Sequence, residues 1–347
     1  MQGNYAGVAP HIISILDASK TRNLSVAYAK GSEISSYTNS SINAALSAAK
    51  DADVILFAGG IDGTIEFESK DRPNITWPSA QTHLLTELLK LRKPTVVVQM
   101  GGPVDSTALL QGNGSANAFL WAGYPGQEGG RAILDIILGV QAPSGRMPVT
   151  VYPGSYVDDV AITDMTLRPA ESNKGLGRTH MWYTGKPVIP FGHGLSYSKW
   201  EYGLRYQGGN NWTVSVQTLL RELRDHERKD VPLTTPVISF EGVVKNTGTV
   251  KSSHVVLAFL HAEAGPKPYP KQMLVGYKRF NELGGGQEVK FELGVELGSL
   301  ARTDESGTKV FFPGTYEVWL GNEPGEGQKT RFVLTGQPEV LEKFPQP

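Results

Sequence analysis

The stretch Gly59-Gly60-Ile61-Asp62-Gly63-Thr64-Ile65-Glu66-Phe67-Glu68-Ser69-Lys70-Asp71-Arg72 carries four carboxylates, Asp62, Glu66, Glu68 and Asp71. A carboxyl group on a loop can serve as a general acid, for example toward a glycosidic oxygen, if it reaches the reacting atom. The plainer alternative is a solvated acidic loop with no chemistry, and residue types alone favour it. A phosphate cradle is a third reading, because three glycines follow an apolar run. The spacing departs from G-x-G-x-x-G, however, and the acidic side chains would repel a pyrophosphate. Glu66 and Glu68 lie two residues apart, so in an extended segment they would share a face.

The elements around this loop are readable. Val54-Ile55-Leu56-Phe57 is a β-type run ending in Ala58-Gly59-Gly60. Residues 79–92 have Leu84, Leu85, Leu88 and Leu91 on one helical face, with Ser79 as cap and Pro94 as stop. Thr95-Val96-Val97-Val98 and Ala118-Phe119-Leu120-Trp121 are further strands. Residues 126–138 form a second helix with Ile133, Ile136 and Ile137 inward. Apolar strands alternating with helices predict a parallel sheet covered on both faces, the α/β class, with the acidic loop at a strand's carboxyl end. Residues 198–234, including RELRDHERKD, read as a linker or surface excursion. Short alternating runs at 237–244, 255–260, 289–293 and 315–320 predict an all-β sandwich over 235–335, with 336–347 as a tail.

Other groups invite chemistry less. Tyr124-Pro125-Gly126-Gln127-Glu128 joins a strand to a helix and reads mainly as a tight turn, with a lining role near a substrate as the lesser alternative. Trp121 reads as core, whereas Trp182 and Tyr183 suit sugar stacking and packing equally. His193, between glycines, reads as a corner. Seven scattered histidines and no cysteine argue against a metal site, and no cofactor is implied. A formal net charge of −1 speaks against a nucleic-acid or membrane partner, and no apolar run of membrane-spanning length occurs. The first residues do not read as a signal peptide. Asn-x-Ser/Thr sites at Asn23, Asn39, Asn74, Asn113 and Asn211 exceed chance and hint at a secretory history.

Several strings carry a family resemblance: MQGNYAG, FAGGID.TIE.E..DR.NI.WP, VVVQMGGPVD, WAGYPGQEGG, GR.P.T.YP and RTHMWYTGKPV.PFGHGLSY. Together they span residues 1–200. They resemble the C-terminal half of fungal- and plant-type β-xylosidases of glycoside hydrolase family 3. Residues 243–248, 274–280 and 312–316 resemble that family's fibronectin type III-like domain, usually a structural one.

The resemblance implies a retaining, exo-acting hydrolase that removes terminal β-1,4-xylosyl residues from xylo-oligosaccharides outside the cell. It implies a nucleophile aspartate on an N-terminal (β/α)8 barrel and an acid/base glutamate on the α/β sandwich, residues 1–197 here. The TIE.E match puts that role on Glu66, with Glu68 as the alternative and Asp62 and Arg72 shaping the loop. Asp105, Asp135 and Asp164 have no nucleophile-like context, and nothing here resembles the barrel. Met1 matches a methionine that follows the family's opening strand, so a sandwich lacking its first strand, poorly soluble and inactive alone, is expected. A non-catalytic carbohydrate-binding or scaffold protein is the competing reading.

Overall fold

A computed structural model describes the chain apart from residues 4–5, 112–114, 207–211, 228–230, 322–328 and 346–347, and the side chains of 225–227. Its contacts group into two units, residues 1–141 with 151–165 and 186–189, and residues 142–150 with 166–185 and 190–347.

In the first unit, helix α1 (Ile15–Thr21) starts at Ser14, which shares a capping box with Asp17. Helix α2 (Asn39–Lys50) starts in the same way at Thr38 with Ser41. Strand β1 (Ile55–Gly60), helix α3 (Ser79–Leu89), strand β2 (Thr95–Met100), the turn α4 (Thr107–Leu110), strand β3 (Ala118–Gly123) and helix α5 (Gly129–Ile137) follow, with a final turn α6 (Tyr156–Asp159). The strands form a parallel sheet in the order β1-β2-β3, with Ile55 beside Thr95 and Val97 beside Phe119. Leu84, Leu85 and Leu88 of α3 bury against Ile42, Ile55, Phe57 and Val97, as their helical spacing predicts.

Three local expectations change. Ser79 is the first helical residue, and Pro78 takes the cap position without a side-chain bond. Trp121 is only partly buried, its indole N–H donating to Gly101 O at 2.9 Å. The second face of the sheet is covered at β2, where Val98 is 0% exposed, but less so at β1. Along β1, Ile55 and Phe57 are buried whereas Leu56 is 36% exposed and Ala58 is exposed.

The second unit begins with the turn α7 (Thr179–Trp182), then strands β4 (Trp200–Tyr206) and β5 (Trp212–Ser215) and helix α8 (Val216–Glu227). Strands β6 (Pro236–Asn246), β7 (Ser252–Ala264), β8 (Met273–Leu283) and β9 (Glu288–Glu296) lead into the turn α9 (Leu297–Leu300). Strands β10 (Ala301–Thr303), β11 (Lys309–Phe311), β12 (Gly314–Leu320), β13 (Lys329–Thr335) and β14 (Glu339–Glu342) complete it. A five-stranded sheet β5-β13-β12-β7-β8 and a three-stranded sheet β4-β6-β9 share one core containing Phe240, Val256, Leu260, Tyr316, Val318 and Phe332.

The segment expected as a linker belongs to this sandwich. β4 pairs with β6 and β5 with β13, while Leu204, Val216, Leu219 and Leu220 are buried. The burial of those side chains offsets the polarity that made the segment look like an excursion. The expected tail likewise contains β14, which pairs with β11. Residues 142–150, 166–185 and 190–197 also associate with this unit rather than with the sheet domain. Arg146 explains part of this, donating to Val255 O and Gly194 O, as does Lys271, whose ammonium donates to Tyr183 O.

Candidate active site

Three loops leave the carboxyl ends of adjacent parallel strands, the place where open α/β sheets bind ligands. The loop after β1 begins as a single turn. Ile65 N and Glu66 N both donate to Asp62 O, and the Asp62 carboxylate accepts from Thr64 N at 2.9 Å and from the Thr64 hydroxyl at 2.6 Å. Asp62 therefore shapes the loop, in line with the sequence reading. The next residues fold into a tight hairpin, with Phe67 N donating to Lys70 O and Lys70 N to Phe67 O. Ser69 takes a left-handed φ of 64° to close it. Glu66 and Glu68 consequently do not sit side by side on an extended strand, because a reversal starts between them.

Their environments differ sharply. The Glu66 side chain is 25% exposed, and its carboxylate meets three donor groups, two through hydrogen bonds and Arg72 as an ion pair. Gly102 N bonds Oε1 at 2.9 Å, the Tyr124 hydroxyl bonds the same oxygen at 3.1 Å, and Arg72 Nε lies 3.1 Å from Oε2. Each donor comes from a different place: the loop after β2, the loop after β3, and the far end of the acidic loop. A Cβ at position 102 would lie 2.4 Å from the Glu66 carboxylate, so a larger residue there would displace that group. Arg72 also donates to Pro103 O at 3.0 Å, tying the acidic loop to the next one. Its Nη1 is buried and has no acceptor among the described residues. Glu68 is exposed, and among the described residues no hydrogen bond or ion pair reaches its carboxylate.

Both glutamates line one cleft of about 960 Å³, together with Phe67, Asp71, Arg72, Ile75, Tyr124 and Ile162. Burial, followed by the bond to Glu66, pushes the Tyr124 phenol up to about 12, so it stays a donor across the neutral range. Gly102 is the residue that sequence reasoning missed, whereas Tyr124 lines the cleft, the lesser of the two readings given to it. The YPGQ string marked a turn, but nothing in it indicated a bond to a side chain 58 positions away. Among the described residues, no group of His, Cys, Asp and Glu could hold a metal ion, and no helix is long and apolar enough to cross a membrane.

The remaining candidates take structural places. Asp105 accepts from Thr107 N and Gly154 N, and Asp135 pairs with Arg22. Glu128 holds His11 at 2.7 Å and Arg131 at 2.9 Å. Trp182 is buried, with the guanidiniums of Arg168 and Arg302 within cation–π reach, and Tyr183 is buried as well, so neither offers a face to a sugar. His193 sits in a turn, its N–H donating to Pro190 O and its carbonyl accepting from Met147 N. Asn23, Asn39 and Asn74 are exposed, whereas Asn113 and Asn211 lie outside the described residues.

The pattern described as "Glycosyl hydrolase family 3 C-terminal domain" matches residues 1–197, and that of a "Fibronectin type III-like domain" matches residues 254–324. The chain is 42% identical to the exo-1,4-beta-xylosidase xlnD of Emericella nidulans, over 100% of its own length and 42% of that protein. It is 44% identical to the probable exo-1,4-beta-xylosidase xlnD of Aspergillus fumigatus, over 99% of its length and 43% of that protein. A solved structure of the GH3 exo-beta-xylosidase XlnD, in complex with a xylobiose aziridine activity-based probe, superposes with a TM-score of 0.92. The identity there is 43%, covering 99% of this chain and 44% of that one. A GH3 beta-glucosidase of Bifidobacterium adolescentis, 23% identical with a TM-score of 0.75 over 96% of this chain and 47% of that one, shares the fold. This chain thus spans less than half the length of the relatives it matches, and it belongs to glycosyl hydrolase family 3 through that family's C-terminal domain, followed by a fibronectin type III-like one.

Proposed function

We propose that this chain is the acid/base-bearing part of a retaining exo-β-xylosidase acting on terminal β-1,4-xylosyl residues of xylo-oligosaccharides. The observation that carries the reading is the pair of glutamates, Glu66 and Glu68, on one cleft at the carboxyl end of the parallel sheet. Relatives that match over 99–100% of this chain are named exo-1,4-beta-xylosidases, which supports the substrate class. A retaining mechanism needs a second carboxyl group about 5–5.5 Å from the acid/base, as nucleophile. Asp105 and Asp135 are committed to structural bonds, so that group is assigned to the N-terminal part of the longer relatives. The cleft then binds sugar only when that part supplies its opposite wall. Secretion and glycosylation at the exposed Asn23, Asn39 and Asn74 accompany this reading.

The test is a fusion of this chain to the N-terminal part of the Emericella nidulans relative, assayed for xylose release from xylobiose. The fusion is expected to turn over, and the chain alone is not. Glu66→Gln with Glu68→Gln should lower turnover by about 10²–10⁴-fold, the usual worth of general acid–base catalysis. Full activity in the double variant, or in the chain alone, would refute the proposal.

A further inference from the structure

Away from the cleft, the second unit carries a strip of exposed side chains along β8. We infer that this strip docks acidic xylan, a β-1,4-xylosyl chain whose branches carry uronic-acid carboxylates. The choice of sugar rests on the function proposed above, whereas the strip is argued from this unit alone. It has no part in bond cleavage.

Strand β8 is the edge of the five-stranded sheet and pairs with β7 on its inner side. Val256 and Ala258 of β7 belong to the core, so Val255 and Leu257 face the other way. Tyr277 lies beside Leu257 and Arg279 beside Val255, on that same outer face. Farther in, the face is closed, because Leu257, Phe259 and Trp319 are buried with Phe191 packed on them. At β8 the cover ends. Tyr277 is 73% exposed, more than any other aromatic side chain described, and among the described residues it has no hydrogen bond or ring contact. Arg279 Nε donates to Asn281 Oδ1 at 3.0 Å, which fixes the plane of the guanidinium. Its two Nη groups have no acceptor among the described residues. Lys278 is exposed and likewise meets no carboxylate among them, whereas Glu282 is already paired with Lys251 at 2.8 Å.

These groups select among occupants. A stable protein partner needs about 800 Å² on each side and several buried anchors. Here one ring stands among charges, and the next apolar group, Leu274, is 36% exposed. A nucleic acid needs a longer basic track than Lys278 and Arg279 provide. A sugar chain meets what is present. Its C–H faces stack on a phenol ring, and its hydroxyls donate and accept along the outer edge of β8. The free fork of Arg279 matches a carboxylate in geometry and charge, which points to acidic branches.

The test is retention of the fusion in native gels that contain one of three polymers. They are soluble glucuronoxylan, the same polymer with its carboxyls reduced to alcohols, and polygalacturonate. Retention should be strongest on glucuronoxylan, weaker on the reduced polymer and weakest on polygalacturonate. Tyr277→Ala should raise the dissociation constant for both xylans by about tenfold, the loss expected for a truncated anchor, and Tyr277→Phe should keep the parent value. Arg279→Ala should abolish the difference between the two xylans. Xylobiose turnover should match the parent in all three variants. Unchanged retention in Tyr277→Ala, an undiminished preference for glucuronoxylan in Arg279→Ala, or equal retention on polygalacturonate overturns the inference. So does loss of xylobiose turnover in Tyr277→Ala, which would place the ring against the N-terminal part instead. Retention without xylose release leaves this site standing and removes the function, and xylose release without retention does the reverse.

Discussion

The two units solve the problem of burying a sheet in opposite ways. In the second, a mixed five-stranded sheet and an antiparallel three-stranded one close on one core, where Phe240, Phe311, Tyr316 and Phe332 are at most 1% exposed. In the first, a three-stranded parallel sheet buries one face under α2 and α3, while β1 leaves Leu56 and Ala58 in the open on the other. The polar groups that could do chemistry follow the same division. The sandwich spends its buried polar groups on cohesion. His254 bonds the Tyr202 hydroxyl at 2.8 Å and stacks on Trp200, and Arg302 donates to the carbonyls of Ala264, Pro266 and Pro268. The sheet domain gathers its own at the strand ends around a cleft. One unit is finished as it stands, whereas the other presents surface.

Truncations of similar kind should therefore cost different amounts in the two units. Phe332→Ala, which removes a ring stacked on Trp212 and Tyr316, is expected to destabilise the sandwich by about 3–5 kcal/mol. Leu56→Ala on the bare face of β1 should cost less than about 1 kcal/mol. Denaturant unfolding of each variant measures both, and equal losses would break the comparison.

The next effect is one of pH. Burial, and then the nearby Arg146 charge, pull His254 down from the ordinary imidazole value to about 3. The unfolded chain therefore binds this proton first. Sandwich stability should be unaffected above pH 6.5. It should fall by up to about 1.4 kcal/mol per pH unit from there toward pH 3, and His254→Gln should flatten that slope. Unfolding free energies between pH 7 and 4 check this; a slope that survives the substitution would assign the proton elsewhere.

Smaller still is the capping of α2. Thr38→Ala should cost about 1 kcal/mol in the sheet domain, since Ser41 N loses its acceptor. Hydrogen exchange of the α2 amides, faster in the variant, sharpens the contrast by leaving the sandwich amides unchanged.

Much of this was legible in the residues. The runs at 54–57, 95–98 and 118–121 are strands, and the leucine spacing of α3 states its buried face. The segment at 198–234 was misread because its charges dominate, although Val216, Leu219, Leu220 and Leu223 keep a helical period and Trp200, Tyr202, Leu204 and Tyr206 alternate. The acidic loop was legible as a site but not as a geometry. Its reversal depends on Ser69 in a left-handed conformation, a position where glycine or asparagine would have been the signal. Its clamp depends on Gly102 and Tyr124, which only the parallel register of the sheet brings to Glu66.

The central claim is that this chain holds the acid/base and not the nucleophile. A xylobiose-type aziridine probe reacts covalently with the nucleophile, so labelling of the fusion followed by peptide mapping reads the division directly. The account predicts label on a carboxylate of the N-terminal part, slower labelling when Glu66 and Glu68 are both replaced by glutamine, and none on residues 1–347. Label on any carboxylate of this chain would contradict it.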